Sequence, residues 1–124
     1  MKTISQIYKD FLDAWSRGDL ETMTGYYHDD IVSYPNRAMR PLNGKAAVLE
    51  FLAKFGKGMS NPRFEQFLMI ESGNTLFIEG TESYSKNGRE ILVPYAGVVE
   101  FKDGKIIAKR DYFDLKSLEK QLAA

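Results

Sequence analysis

The stretch TLFIEGTESYSKNGREILVPYAGVVEFKDGKIIAKRDYF, residues 75–113, decides the fold. Two turn dipeptides, Asn87-Gly88 and Asp103-Gly104, divide it into three strand-like runs, and such dipeptides between alternating runs are strong hairpin signals. Gly73-Asn74 marks an earlier turn, with another strand pattern before it. The spacing therefore predicts an antiparallel meander of four strands at residues 63–71, 75–85, 90–101 and 105–113. Pro94 and Gly97 disturb regular pairing in the third strand and favour bending.

Outward from the meander the period changes. Ile4, Ile7, Tyr8, Phe11, Leu12 and Trp15 recur at three- and four-residue spacing, an amphipathic helix with Thr3 and Gln6 spaced as a capping box. The stripe reads as core, Trp15 included. Gly18 stops this helix and Asp19 caps a shorter second one carrying Leu20, Met23 and Tyr27. His28, beside Asp29 and Asp30, then falls at a helix end and reads as part of a solvated polar turn. Residues 31–34 form a brief strand ended by Pro35, followed by an irregular stretch to Asn43-Gly44. A third helix runs from Lys45 to the break at Gly56 and Gly58, and residues 115–122 form a short terminal helix. Helices followed by strands, with no repeat and no linker between them, imply one α+β domain over residues 1–124: N-terminal helices packed on a curved antiparallel β-sheet, enclosing a pocket.

Composition excludes several classes. The 124 residues carry seventeen basic and seventeen acidic side chains, net charge zero, with the basic residues scattered. That leaves no electrostatic footprint for nucleic acid. No apolar run is long enough to span a bilayer, so no membrane role is expected. Without cysteine there is no disulfide, thiolate ligand or thiol nucleophile. A single histidine cannot build a multi-histidine metal site, so neither metal nor cofactor is expected. The start, Met1-Lys2-Thr3-Ile4-Ser5, lacks a signal-peptide core, and the expected location is cytoplasmic. The partner class left is a small hydrophobic molecule or a protein.

Against this ordinary background a few polar residues stand out. Alternation in the second meander strand puts Leu76, Ile78, Gly80, Glu82 and Tyr84 on one face, so Glu82 lies among apolar neighbours. In the last strand Ile107, Lys109, Asp111 and Phe113 share a face by the same rule. Either these charges sit at a wet sheet end as a cross-strand salt bridge, or they share a dry site. In a dry site two carboxylates push their proton affinities apart, so one acts as base and the other as acid. Tyr34 and Asn36, two residues apart in extended chain, either offer a hydroxyl and an amide to one water or substrate oxygen, or fill a core rim and a turn. Arg110 falls on the opposite face from Asp111 and is left as a solvated or interface charge.

Gly18-Asp19, residues 26–30, Asn43-Gly44-Lys45, Asp103-Gly104-Lys105-Ile106 and Arg110-Asp111-Tyr112-Phe113-Asp114 together make the chain resemble the NTF2-like superfamily. The likeness is to its SnoaL-like and limonene-1,2-epoxide hydrolase-like branch, over essentially the whole length. The resemblance implies a cone-shaped fold, a homodimer through the outer sheet face, and one-step acid-base hydrolysis. In this role Asp111 matches the water-activating aspartate, and Tyr34 and Asn36 match the residues that hold the water. Glu82 stands where that family has its acid aspartate and Gly80 where it has an arginine joining the carboxylates; Lys109 is the candidate to supply the lost charge, as a point cation rather than a fork. The expected function is hydrolysis of a small hydrophobic epoxide by a small cofactor-free enzyme. The alternatives are a SnoaL-like cyclase or isomerase acting on a small carbonyl compound, and a non-catalytic member binding an apolar ligand or partner.

Overall fold

Thr3 opens the first helix as its spacing predicts: its hydroxyl accepts from the Gln6 N–H at 3.2 Å while Gln6 Oε1 accepts from the Thr3 N–H at 2.9 Å. Such a cap is worth about 1 kcal/mol. The computed structural model describes residues 2–124, so the reading of Met1 lies outside the described residues. Helix α1 (Ile4–Ser16) buries Tyr8, Phe11, Leu12 and Ala14, the face its periodicity marks. Helix α2 (Leu20–Thr24) is capped by Asp19 and ends at Gly25.

Strand β1 (Tyr27–Tyr34) then begins earlier than the sequence suggests. Tyr27 is not on the second helix. It is the first residue of β1, and the carbonyl of Tyr26 accepts from the Ile106 N–H at 2.8 Å. His28 is therefore a strand residue, its Nδ1 accepting from the Asp30 N–H at 3.0 Å. A two-residue strand β2 (Leu42–Asn43), invisible in the alternation, precedes α3 (Lys45–Phe55).

The meander follows as β3 (Met59–Ser72), β4 (Thr75–Lys86), β5 (Arg89–Lys102) and β6 (Lys105–Tyr112), and α4 (Leu115–Ala123) closes the chain. Asn87 and Gly88 have φ of 51° and 82°, Asp103 and Gly104 of 52° and 75°. Positive φ at both central residues is the hairpin turn whose twist matches its strands. Strand β3 starts four residues before the expected Arg63 because Met59 and Ser60 pair with Lys86 and Ser85 across a register shift.

The sheet is six-stranded, curved and unclosed, in the order β2-β1-β6-β5-β4-β3. Only one adjacent pair is parallel: β1 lies along β6, with Ser33 opposite Lys109 and Tyr34 opposite Arg110. Helices cover one face. The main core joins α1 to the inner face through Phe11, Ile31, Leu76, Val99 and Ile106, and a smaller one joins α4 to Tyr84, Ile91 and Val93. Among the described residues no helix is long and apolar enough to cross a membrane.

Beyond Tyr112 the flank of β5 has no strand beside it. Gln121 on α4 takes that place, accepting from the Leu92 N–H and donating to the Leu92 carbonyl, both at 2.9 Å. Two residues on, along the same flank, Pro94 has no N–H to satisfy.

One register change matters for the site. Across β5 and β6, Glu100 pairs with Ala108 but Phe101 pairs with Ile106, so Ile107 is an extra residue, a β-bulge. Ile106, not Ile107, shares the inner face with Lys109 and Asp111. Strict alternation over 105–113 misplaces Ile107 for this reason.

Candidate active site

Between the inner sheet face and helices α3 and α4 lies a cavity of about 250 Å³. Trp15, Tyr27, Phe55, Tyr84, Tyr95 and Phe113 supply its aromatic walls. Ser33, Glu82, Lys109 and Asp111 supply polar groups. Glu82 comes from β4, whose alternation buries Leu76, Ile78, Gly80 and Tyr84 on the same side. Lys109 and Asp111 come from β6 beyond the bulge.

Lys109 Nζ donates to Asp111 Oδ2 at 2.8 Å, and the two side chains retain only 12% and 17% of their accessible surface. Burial opposes the Lys109 ammonium. The charge and hydrogen bond of Asp111 outweigh that and raise its pKa well above the usual lysine value. Asp111 Oδ1 is buried with no protein partner. A buried acceptor left unmatched is costly and uncommon. The room for this carboxylate comes from Gly97, its register partner on β5: a Cβ there would lie 3.0 Å from Oδ1.

Glu82 differs from an exposed glutamate. Burial first, and then the negative charge of Asp111, push its pKa up to about 7, with Lys109 working in the opposite direction. Around neutrality a large share of it is the neutral acid, able to donate a proton. Burial likewise pushes the Tyr27 and Tyr95 hydroxyls to about 12, keeping both phenols neutral.

The structure thus brings Glu82, Lys109 and Asp111 to one cavity but leaves Tyr34 and Asn36 off its lining. Tyr34, paired with Arg110, faces the outer side of the sheet, where the Arg37 guanidinium lies 4.3 Å from its ring centre. Asn36 is buried, but its amide is committed: Nδ2 donates to the Phe113 carbonyl at 2.9 Å and Oδ1 accepts from the Ala38 N–H at 2.8 Å. Their neighbours Ser33 and Pro35 line the cavity instead. Ser33 was legible in principle, because it is two residues from the buried Ile31 and so shares its face. Tyr95 was too, lying in the inward series Ile91, Val93, Tyr95, Gly97 and Val99. At Gly80, where the resemblance implies an arginine, a side chain has no room: a Cβ there would run into the Glu65 carbonyl oxygen on β3. Among the described residues no group of three or more His, Asp or Glu is arranged to hold a metal ion.

A family model described as a SnoaL-like domain matches residues 8–109. Among solved structures, an LEH-like epoxide hydrolase of Mycobacterium tuberculosis superposes with a TM-score of 0.80 at 24% identity, over 96% of this chain and 91% of that one. A Shewanella putrefaciens protein described as a SnoaL-like polyketide cyclase gives 0.84 at 19% identity, over 99% and 98%. An NTF2-like protein of Burkholderia pseudomallei gives 0.85 at 21% identity over the full length of both chains. At these identities the likeness shows a shared fold.

Proposed function

Because the chain belongs to the SnoaL-like domain family, we propose that its inner cavity is the active site of a cofactor-free acid-base enzyme that hydrolyses a small hydrophobic epoxide. The observation that carries this reading is the division of labour between two carboxyl groups. Asp111 has one oxygen fixed by Lys109 and the other buried without a protein partner, while Glu82 faces the same apolar cavity with its proton retained.

In the proposed step the Asp111 carboxylate takes a proton from water as the water oxygen attacks an epoxide carbon. The carbon–oxygen bond of the ring breaks, and the departing oxygen takes the proton of Glu82. The product is a diol, with Asp111 protonated and Glu82 ionised, and one proton passing between them through solvent restores the starting state. Lys109 holds Asp111 in place and keeps its charge compensated. In this reading Tyr34 and Asn36 touch neither water nor substrate. Asn36 ties the loop after β1 to the end of β6, where the Arg37 N–H also donates to the Asp111 carbonyl at 2.8 Å.

The same two groups suit proton abstraction beside a carbonyl, which is the alternative reading, with Glu82 donating to the enolate oxygen. The test is a panel of small apolar epoxides in ¹⁸O-labelled water. Hydrolysis predicts label in the diol, and Asp111→Asn lowers kcat at least about a hundredfold, the scale of a general base. Turnover insensitive to that substitution would remove the reaction from consideration. The outer sheet face is assigned to a homodimer. There Ile70, Phe77 and Val98 align across three strands, with Ile70 and Phe77 half exposed.

A further inference from the structure

A second cavity, about 540 Å³, lies on the far side of Trp15, Leu52 and Phe55, and these three residues line both spaces. They are therefore the wall between the two. Their anchorage differs. Trp15 packs on Phe64 with ring centres 5.1 Å apart, and Phe55 meets Tyr84 at 6.1 Å with the Lys86 ammonium 4.1 Å from its own ring centre. Leu52, packed against the main core between them, is the one aliphatic member of the wall.

The outer space is apolar within, through Met23, Leu49 and Met59, and mostly polar at its rim, through Ser16, Arg17 and Asn61 beside the exposed Leu20. The rim cation is already engaged, since Arg17 Nε lies 2.9 Å from Asp13 and its Nη1 3.7 Å from Asp19. In the inner cavity Lys109 is likewise held by Asp111. Neither space offers a free cation to an anionic head group. The inner cavity alone falls slightly below the roughly 300–1,000 Å³ usual for ligand sites, whereas the two joined past Leu52 fall within it.

We propose that the outer cavity is the tail subsite of the same site. The ligand is an elongated, uncharged molecule whose oxygen-bearing end lies at Glu82 and Asp111 and whose apolar chain passes Leu52 to lie between α2, α3 and the start of β3. The inference rests on the reading of the inner cavity as the functional site. Among small hydrophobic molecules it specifies an elongated, neutral substrate, not a carboxylate.

Trp15 is the only tryptophan and borders both spaces, so its fluorescence reports occupancy without any turnover. The experiment titrates the full chain with 1-alkanols from hexanol to dodecanol and with dodecanoate. Affinity should rise about fourfold per methylene through the whole series, the gain from burying each group, and dodecanol should bind more tightly than dodecanoate. Ala53→Phe, at an exposed α3 position lining only the outer space, should shrink the dodecanol-to-hexanol affinity ratio at least tenfold. A plateau before decanol, tighter binding of dodecanoate, or a ratio unchanged in Ala53→Phe would each overturn the proposal. Chain-length dependence as expected without epoxide turnover would leave the tail subsite standing and remove the hydrolase reading, so the two failures are distinguishable.

Discussion

Ionising Glu82 places a second negative charge beside Asp111 within apolar walls, and burial with that charge moves its pKa from 4.5 to about 7. A carboxyl group whose pKa is raised on folding contributes stability that is fully present below the unfolded value, 4.5, and is lost as pH rises through the folded value, about 7. The shift corresponds to about 3 kcal/mol. Glu82→Gln should therefore flatten the decline in stability between pH 4.5 and pH 8 by about that amount, measured by urea unfolding of both proteins. Parallel pH dependences would show that Glu82 titrates like an exposed residue. Under the proposed mechanism the same proton should set the activity profile: turnover should fall as pH rises through about 7, because the acid is then lost. Lys109 holds that value down, so Lys109→Met should move the alkaline limb upward. It should also cost about 3 to 5 kcal/mol of stability by leaving Asp111 buried and unpaired. Unchanged turnover and an unmoved limb would end the case for Lys109 as the tuning charge.

The strands place these residues through two glycines and a bulge, and each makes a different demand. A methyl group at position 97 crowds only the carboxylate end of Asp111, whereas one at position 80 meets the backbone of β3. Gly97→Ala should thus lower kcat by displacing the carboxylate a few tenths of an ångström, on the order of tenfold where a full ångström costs about a hundredfold, with little change in urea midpoint. Gly80→Ala should lower the midpoint itself by forcing β3 and β4 apart. A Gly97→Ala enzyme with full kcat would contradict the proposed role of Asp111. Element order was largely readable from the chain, since the two turn dipeptides and the capping box at Thr3 depend on neighbours in sequence. Glu82 was readable because β4 alternates without interruption. Ile107 was not, because a bulge is set by the partner strand and leaves no mark in its own alternation. The parallel contact of β1 with β6 was equally hidden, and with it the pairing of Tyr34 with Arg110.

For the whole molecule, the face away from the helices is the one without cover. Leu68, Ile70, Phe77 and Tyr112 expose roughly half of their surface on it, a larger apolar patch than isolated surface residues make. Burying it in a homodimer predicts that Phe77→Asp gives a monomer by sedimentation at micromolar concentration with the acid-base site intact. A wild-type chain sedimenting as a monomer would remove the assignment. The pairing of β1 with β6 also bears on how the protein is made. Ser33 meets Lys109 across a separation of some seventy-five positions, so the wall holding the ion pair joins early and late parts of the chain. Contacts of that span form slowly, since the long loop between them must first be ordered. The hairpins of β3 to β6 can pair locally while this seam stays open, leaving Lys109 and Asp111 wet until the first strand docks. The environment that sets the proton of Glu82 should therefore be completed late in folding.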